Sequence, residues 1–256
     1  MNEKLMTRLN DLGKHLYVQD FSLALLALGS CAEVSRMDDY SDLDFFLIVK
    51  DGTKTDALID LSWLSDVYPL AYAFRNTVDG YKIMWEDGIY AEFAVFEKEE
   101  LNTIPFSPGR FIFKKKGVDL SSEPILEIKP QLQKDMDYAF NEILTNLYVG
   151  LCRYRRGEVT SAFRLISVHA VDRYLSILPL LDQPSDSLMD PFALERRVEE
   201  RHPSAIPKLA AFTQGYDHVL DSAQALFTEL QTITPISPVM KREIQKLLCQ
   251  DPETKV

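Results

Sequence analysis

Two hydrophobic periodicities follow each other along the chain, and they divide it into an α/β part and a helical part. The first 17 residues place leucines at helical spacing, which predicts an amphipathic helix. The run Phe21–Leu28 has no polar face, as expected of a buried strand. Further strands are predicted at 45–49, 70–75, 81–85, 89–96 and 110–113, with a helix at 55–67.

From Gln131 onward, apolar residues recur every three or four positions, which predicts a bundle of helices. Proline and glycine punctuate the segment 97–130, so a domain boundary is expected there. We therefore expect an α/β + α fold: a mixed sheet with flanking helices over 1–125, then a C-terminal helical bundle over 126–256. The predicted helices span 131–156, 160–178, 190–201, 205–231 with a break at Gly215, and 237–249.

A short polar motif lies between the first two strands. The first strand ends in Gly29-Ser30, and after eleven intervening residues Asp42-Leu43-Asp44 opens the second. Glycine permits a sharp turn, and the serine offers a hydroxyl and an N–H to a phosphate oxygen. Side chains alternate along a strand, so Asp42 and Asp44 point the same way, where their charges repel unless a cation lies between them. Oxygen ligands of this kind suit Mg²⁺.

This arrangement resembles the signature of the nucleotidyltransferase superfamily that includes DNA polymerase beta and the antibiotic nucleotidyltransferases. A phosphate-holding turn beside a metal-holding carboxylate pair is what phosphoryl or nucleotidyl transfer requires. The alternative is an aspartate pair that caps a helix or lies in solvent.

Glu92 is a candidate third carboxylate. It lies in the strand IYAEFAVF, whose other residues are nearly all apolar, and a buried glutamate is costly unless it is paired or binds a metal. In the superfamily that the motif resembles, a carboxylate from a later strand joins the aspartate pair and can take the proton from the acceptor hydroxyl. The alternative is that the strand alternates and Glu92 faces solvent.

Three segments extend the resemblance to one family. In order, GS…YSDLDFFLIVKD, DLSWLSDVYPL and YAEFAVFEKEELNTIP are similar to the lincosamide nucleotidyltransferases of the larger, two-domain type. The resemblance implies that Gly29 and Ser30 contact the nucleotide phosphates and that Asp42, Asp44 and Glu92 hold one or two Mg²⁺. It also implies that Glu92 acts as general base, that the nucleoside triphosphate is the co-substrate, and that the helical domain contributes to the acceptor cleft.

One segment departs from the family pattern. The turn after Gly29-Ser30 reads CAEVSRMDD, which is longer and more acidic than the family leads us to expect. Arg36 is a candidate phosphate-facing cation there; the alternative is a solvated loop charge. Related enzymes are sometimes dimers, so a homodimer is a possible assembly.

Composition indicates the cellular location in which such an enzyme would work. The chain has 256 residues, with 46% hydrophobic and 26% charged, as is ordinary for a soluble globular protein. It has no apolar run of about eighteen residues and no signal-peptide core at its start, so we expect no membrane association. Its three cysteines are widely spaced and odd in number, which favours a reduced, cytoplasmic location.

The net charge of −11 bears on the acceptor. Binding of long nucleic acids needs many Lys and Arg side chains facing phosphates, so an acidic surface argues against a polynucleotide partner. A small hydroxyl-bearing acceptor is favoured, such as a lincosamide, an aminoglycoside or a metabolite unrelated to antibiotics, and an acidic cleft would favour a cationic one.

Two functions of other classes are alternatives. One is a non-catalytic, antitoxin-like nucleotidyltransferase fold, which would be expected to have a degraded motif, whereas Asp42, Asp44 and Glu92 are all present. The other is a helical-bundle ribonuclease, because Arg164 and His169 form an R-x4-H pattern that resembles the motif of such bundles. The acidity of the chain disfavours it, and we expect His169 to be hydrogen-bonded inside a packed helix.

Overall fold

The structure is a computed structural model, and it describes residues 2–33, 35, 37–38, 40–126, 129–130, 132–185 and 189–249. The chain divides into two compact units, Met1–Ile128 and Lys129–Val256. We call them the sheet unit and the helical unit. Each has a hydrophobic core of its own.

The sheet unit is built from short strands joined by turns and short helices. Its described strands are β1 (Ser22–Ala27), β2 (Leu43–Val49), β3 (Leu70–Arg75), β4 (Gly80–Trp85), β5 (Tyr90–Glu97) and β6 (Arg110–Lys114). Its described α-helices are α1 (Asn2–Tyr17), α2 (Gly29–Ala32), α3 (Lys54–Ile59) and α4 (Ser62–Ser65), and a 3₁₀ turn covers Lys98–Asn102.

The described strands form one mixed sheet in the order β3-β4-β5-β2-β1-β6. Only β2 and β5 are parallel among these pairs; the other neighbours run antiparallel. The β2–β5 register is continuous from Leu43 opposite Ala91 to Val49 opposite Glu97, and it places Asp44 opposite Glu92. The two strands that carry the predicted carboxylates are therefore direct neighbours at the centre of the sheet.

The two faces of the sheet differ in how they are covered. On one face, Phe45 and Phe93 stack with ring centroids 5.4 Å apart, and Trp63 packs edge-on against Phe93. The buried leucines of α1 complete this larger core. The opposite face carries a smaller cluster around Ile48 and Phe96. Because side chains alternate along each strand, Asp44 and Glu92 lie on this second face.

The helical unit packs around its longest helix. Its described α-helices are α5 (Met136–Arg155), α6 (Val159–Phe163), α7 (Ala170–Leu181), α8 (Val198–Arg201), α9 (Ile206–Phe212), α10 (Val219–Ile233) and α11 (Pro238–Cys249). Its core joins buried residues of α5, α7 and α10. Gly150 permits the close packing of α5, since a Cβ there would lie 2.6 Å from Ile166 Cγ1.

Several predicted helix boundaries are wrong, and local hydrogen bonds explain two of them. The predicted helix 55–67 is split into α3 and α4, because the Asp60 carboxylate accepts from the N–H of Ser62 and forms a turn instead. The predicted helix start at Asp190 is also absent. There the Asp190 carboxylate accepts from the N–H of Phe192, and helix begins only at Val198.

The stretch from Val159 to Leu181 also differs from its prediction. Pro179 does not end the helix, which continues to Leu181, and the N–H of Asp182 still donates to the carbonyl of Leu178 at 2.9 Å. The segment Arg164–His169 is a π-helical turn, and both of those end residues are exposed. The expectation that His169 is enclosed in a packed helix is therefore wrong.

The predicted fold class is confirmed: a mixed sheet with flanking helices is followed by a helical unit. Within the described residues, no helix has both the length and the apolar character needed to cross a membrane.

Candidate active site

The turn after β1 is packed directly against Asp44. The N–H of Leu28 donates to the carbonyl of Asp44 at 2.8 Å, which continues the β1–β2 pairing up to the turn. Gly29 follows with φ of +53°, a left-handed conformation that favours glycine. A Cβ on Gly29 would lie 3.0 Å from Asp44 Oδ2. Glycine therefore suits both the backbone angle and the close approach of the Asp44 carboxylate at this position.

Ser30 and Cys31 lie in the single turn of α2 that follows. Ser30 is half-buried, whereas Cys31 is fully buried and its thiol lies 3.4 Å from the carbonyl of Asp42. Burial raises the pKa of the Cys31 thiol to about 11, helped by the negative charges of Asp44 and Asp42 and opposed by a hydrogen bond with the Asp44 backbone and by the charge of Arg110. Cys31 is thus a neutral packing residue that connects this turn to both aspartates.

Asp42 and Asp44 flank the buried Leu43 at the start of β2. Both carboxylates are half-buried, and Leu43 is fully buried in the core on the other face. β2 begins at Leu43, so Asp42 lies immediately before the strand and is not part of it. The sequence-predicted neighbours Gly29, Ser30, Asp42 and Asp44 are therefore brought together around one end of β1 and β2.

Glu92 is placed beside Asp44 by the β2–β5 register, but its surroundings differ from the prediction. β5 alternates between half-buried and buried positions at this point, and the Glu92 side chain is 43% exposed. It does not lie in a continuously buried strand. Glu92 Oε1 accepts from Asn76 Nδ2 at 2.9 Å, and Oε2 lies 3.5 Å from Lys82 Nζ.

Asn76 and Lys82 were not recognised from the sequence. Lys82 is the cross-strand partner of Glu92 on β4, and Asn76 directly follows β3. The opposite charges of Lys82 and Glu92 on adjacent strands were a usable signal, since such pairs stabilise sheets. No comparable signal exists for Asn76, because its position depends on how the β3–β4 turn folds.

The motif implies Mg²⁺, which takes oxygen ligands. Across the described residues, no three His, Cys, Asp or Glu side chains are grouped so as to hold a metal ion. Mg²⁺ is commonly bound by one or two carboxylates together with substrate phosphates and waters, not by a cage of protein ligands. Asp42 and Asp44 supply such a pair beside a turn suited to phosphate, so the residues present fit a Mg²⁺–triphosphate complex.

Two further predicted features are Arg36 and the pair Arg164 and His169. Arg36, the candidate phosphate-facing cation, lies outside the described residues. Arg164 and His169 belong to the helical unit and sit at the two ends of the same π-helical turn.

Comparison with known proteins gives structural likenesses only. No protein-family model matches the chain, and no curated protein does. An aminoglycoside 6-adenyltransferase from Bacillus subtilis is similar over 98% of this chain and 92% of its own, with 11% identity and a TM-score of 0.35. The STING-associated c-di-GMP synthase CdnE from Capnocytophaga granulosa matches over 96% of this chain and 78% of its own, at 14% identity and a TM-score of 0.33.

A nucleotidyltransferase-like protein from Exiguobacterium sibiricum is similar over 92% of this chain and 78% of its own, at 13% identity and a TM-score of 0.33. With likenesses at this level, the functional assignment rests on the residues of the chain itself.

Proposed function

We propose that this chain is a nucleotidyltransferase that moves a nucleoside monophosphate from a nucleoside triphosphate to a hydroxyl group of a small molecule. The observation that carries the proposal is the packing of the Gly29 turn against Asp44. There a Cβ on the turn that would receive phosphates would come within 3.0 Å of Oδ2 of the carboxylate that would hold their metal ion. A solvent-exposed or helix-capping aspartate pair would not require glycine at this distance.

Each side chain has a role in the proposed reaction. Asp42 and Asp44 would hold Mg²⁺, which when bound supplies positive charge that offsets the charge of the phosphates. Ser30 donates its hydroxyl hydrogen to a phosphate oxygen from the turn that follows β1. Glu92 accepts the proton of the acceptor hydroxyl as general base.

The bond changes follow from these roles. The acceptor oxygen forms a bond to the α-phosphorus while the bond from the α-phosphorus to the bridging oxygen breaks. Pyrophosphate leaves with that bridging oxygen, and the acceptor proton passes to Glu92. Positioning and charge stabilisation account for most of the catalysis in phosphate chemistry of this kind.

The proposed acceptor is a small molecule, since the net charge of −11 disfavours a polynucleotide. Its class is proposed from the sequence resemblance: an antibiotic such as a lincosamide or an aminoglycoside. Cytoplasmic location and assembly as a homodimer belong to the same proposal.

The test is release of pyrophosphate from each of the four nucleoside triphosphates with Mg²⁺, with and without pooled lincosamides and aminoglycosides. We expect acceptor-dependent release that falls by roughly 100-fold in Asp44→Asn, the scale of losing one transition-state charge contact. Asp51→Asn is the matched control, because Asp51 lies exposed just beyond the other end of β2. Mg²⁺-dependent triphosphate binding without release would keep the proposed site and direct the search to other acceptors, whereas neither binding nor release would support the non-catalytic module.

A further inference from the structure

Both carboxylate oxygens of Glu92 are engaged from neighbouring strands of the sheet unit. Asn76 Nδ2 donates to Oε1 at 2.9 Å, and the ammonium of Lys82 lies 3.5 Å from Oε2. The Lys82 side chain is long, flexible and 40% exposed. Lys82 alone would therefore stay paired with Glu92 in many different rotamers of the glutamate and would not fix its orientation. Asn76 has a short side chain at the end of β3, and its carboxamide has far fewer orientations.

The orientation of the Asn76 carboxamide is set by Glu92. An ionised carboxylate only accepts hydrogen bonds, so the amide must turn its NH₂ group and not its oxygen toward Glu92. In this orientation Asn76 Oδ1 is buried and has no hydrogen-bond partner within the described part of the chain. A buried carbonyl oxygen without a partner costs free energy, and such groups in folded proteins call for an explanation.

A purely structural role explains Asn76 poorly. The hydrogen bond that it makes goes to a glutamate whose side chain is nearly half exposed, where exchange with water leaves little net stabilisation. The unpaired oxygen on the same side chain opposes even that gain. The arrangement therefore favours orientation of Glu92 over stability of the sheet.

We propose that Asn76 is a positioning residue that holds the Glu92 carboxylate in place beside Asp44. This inference rests on the proposed function, in which Glu92 takes the acceptor proton. A glutamate with three rotatable side-chain bonds reaches that geometry only part of the time unless another group fixes it, and small losses of orientation lower reaction rates steeply. Lys82 supports the second oxygen of Glu92.

The test compares Asn76→Leu with Asn102→Leu. Leucine has nearly the shape of asparagine but neither donates to Glu92 nor buries an unpaired oxygen. Asn102 is the matched control, because its Nδ2 donates to Glu99 Oε2 at 3.1 Å in an exposed asparagine–glutamate pair of the same unit. The measurements are kcat and KM of pyrophosphate release and the Tm of each variant. Asn76→Asp, which keeps the shape and replaces the donor by an oxygen, is the second variant.

We expect Asn76→Leu to lower kcat by at least tenfold, with KM for the triphosphate within twofold of wild type and Tm unchanged or raised. Asn76→Asp should lower kcat by at least the same factor, and Asn102→Leu should have the kcat, KM and Tm of wild type. Unchanged kcat in both Asn76 variants would overturn the inference, as would a fall in Tm of several degrees in Asn76→Leu. If wild type releases no pyrophosphate with any acceptor, the proposed function fails and the positioning role of Asn76, which rests on it, fails with it; release by wild type with unchanged kcat in the Asn76 variants overturns the role of Asn76 alone.

Discussion

Gly29 determines how closely the turn after β1 approaches the carboxylate pair. Its φ of +53° and the 3.0 Å from its would-be Cβ to Asp44 Oδ2 are separate constraints, one on the backbone and one on space. Gly52, in the turn after β2, shares only the first, since its φ is +80° and nothing lies within 4 Å of its would-be Cβ. The two glycines therefore separate the strain of a substitution from its effect on the site.

We predict that Gly29→Ala and Gly52→Ala each lower the free energy of unfolding by about 1 kcal/mol, the usual cost of a left-handed non-glycine residue. Only Gly29→Ala should also lower kcat, by tenfold or more, because its methyl group displaces the Asp44 carboxylate. Denaturant unfolding and pyrophosphate release measure the two effects. Equal activity in both variants would mean that the contact between Gly29 and Asp44 has no bearing on the site.

At the residue scale, the sequence predicted the parts of the site that are close together in the chain. Gly29, Ser30, Asp42 and Asp44 fall on one hairpin, so their spacing alone predicted that they meet. Asn76 could not be predicted, because its contact with Glu92 depends on the conformation of the β3–β4 turn and on a register between strands that are not adjacent to the motif.

At the element scale, the pairing of β2 with β5 positions Glu92. A shift of one residue in this pairing would move every side chain of β5 to the opposite face. The stacked rings of Phe45 and Phe93, buried beneath the carboxylates, oppose such a shift. The strands were predictable because apolar runs bounded by turn residues define them. The parallel pairing itself was not, since it joins segments more than forty residues apart.

Helix boundaries were predicted less well than strands, for a local physical reason. Asp60 and Asp190 each accept a hydrogen bond from the N–H two residues later, which competes with helix formation. The same residue types also favour helix starts, so sequence alone did not distinguish the two outcomes.

The attachment of α1 to the β4–β5 turn gives a prediction at the same scale. The guanidinium of Arg8 is 8% exposed, donates to Asp87 Oδ2 at 2.8 Å and lies 4.2 Å from the centre of the Tyr68 ring. Asp87→Ala leaves this buried charge unpaired, so we expect a loss of about 3 kcal/mol in the free energy of unfolding. Lys4 pairs with the same carboxylate, but its side chain is half exposed. Lys4→Ala should therefore lower the free energy of unfolding by less than about 1 kcal/mol.

The contribution of Asp87 also depends on pH in a defined direction. Partial burial opposes ionisation of Asp87, but the hydrogen bond from Lys4 and the charges of Arg8 and Lys4 outweigh it and lower the pKa of Asp87. The stabilisation is therefore complete above the unfolded pKa of about 3.9 and is lost as pH falls through the lower folded value. Urea unfolding of wild type and Asp87→Ala from pH 7 to pH 3 measures the difference in their free energies of unfolding. We expect this difference to stay constant down to about pH 4 and to shrink below it. A difference that stays constant down to pH 3 would contradict this.

At the scale of the whole molecule, the chain consists of the sheet unit, Met1–Ile128, and the helical unit, Lys129–Val256. The sheet unit carries the proposed catalytic residues on one face of its sheet, and the helical unit has its own core around α5. The proposal of a small-molecule acceptor comes from net charge and from the sequence resemblance, and no spacing of residues in the helical unit specifies which molecule it is. The acceptor must therefore be identified by experiment.

The most direct test of the central claim is calorimetric binding of non-hydrolysable analogues of the four nucleoside triphosphates to the full chain, with Mg²⁺ and with EDTA. It needs no acceptor, so it tests the Asp42–Asp44 site alone. We predict that at least one analogue binds, that its binding requires Mg²⁺, and that the binding is weakened at least tenfold in Asp44→Asn and unchanged in Asp51→Asn. No binding of any analogue, or equal binding in EDTA and in Asp44→Asn, would contradict it.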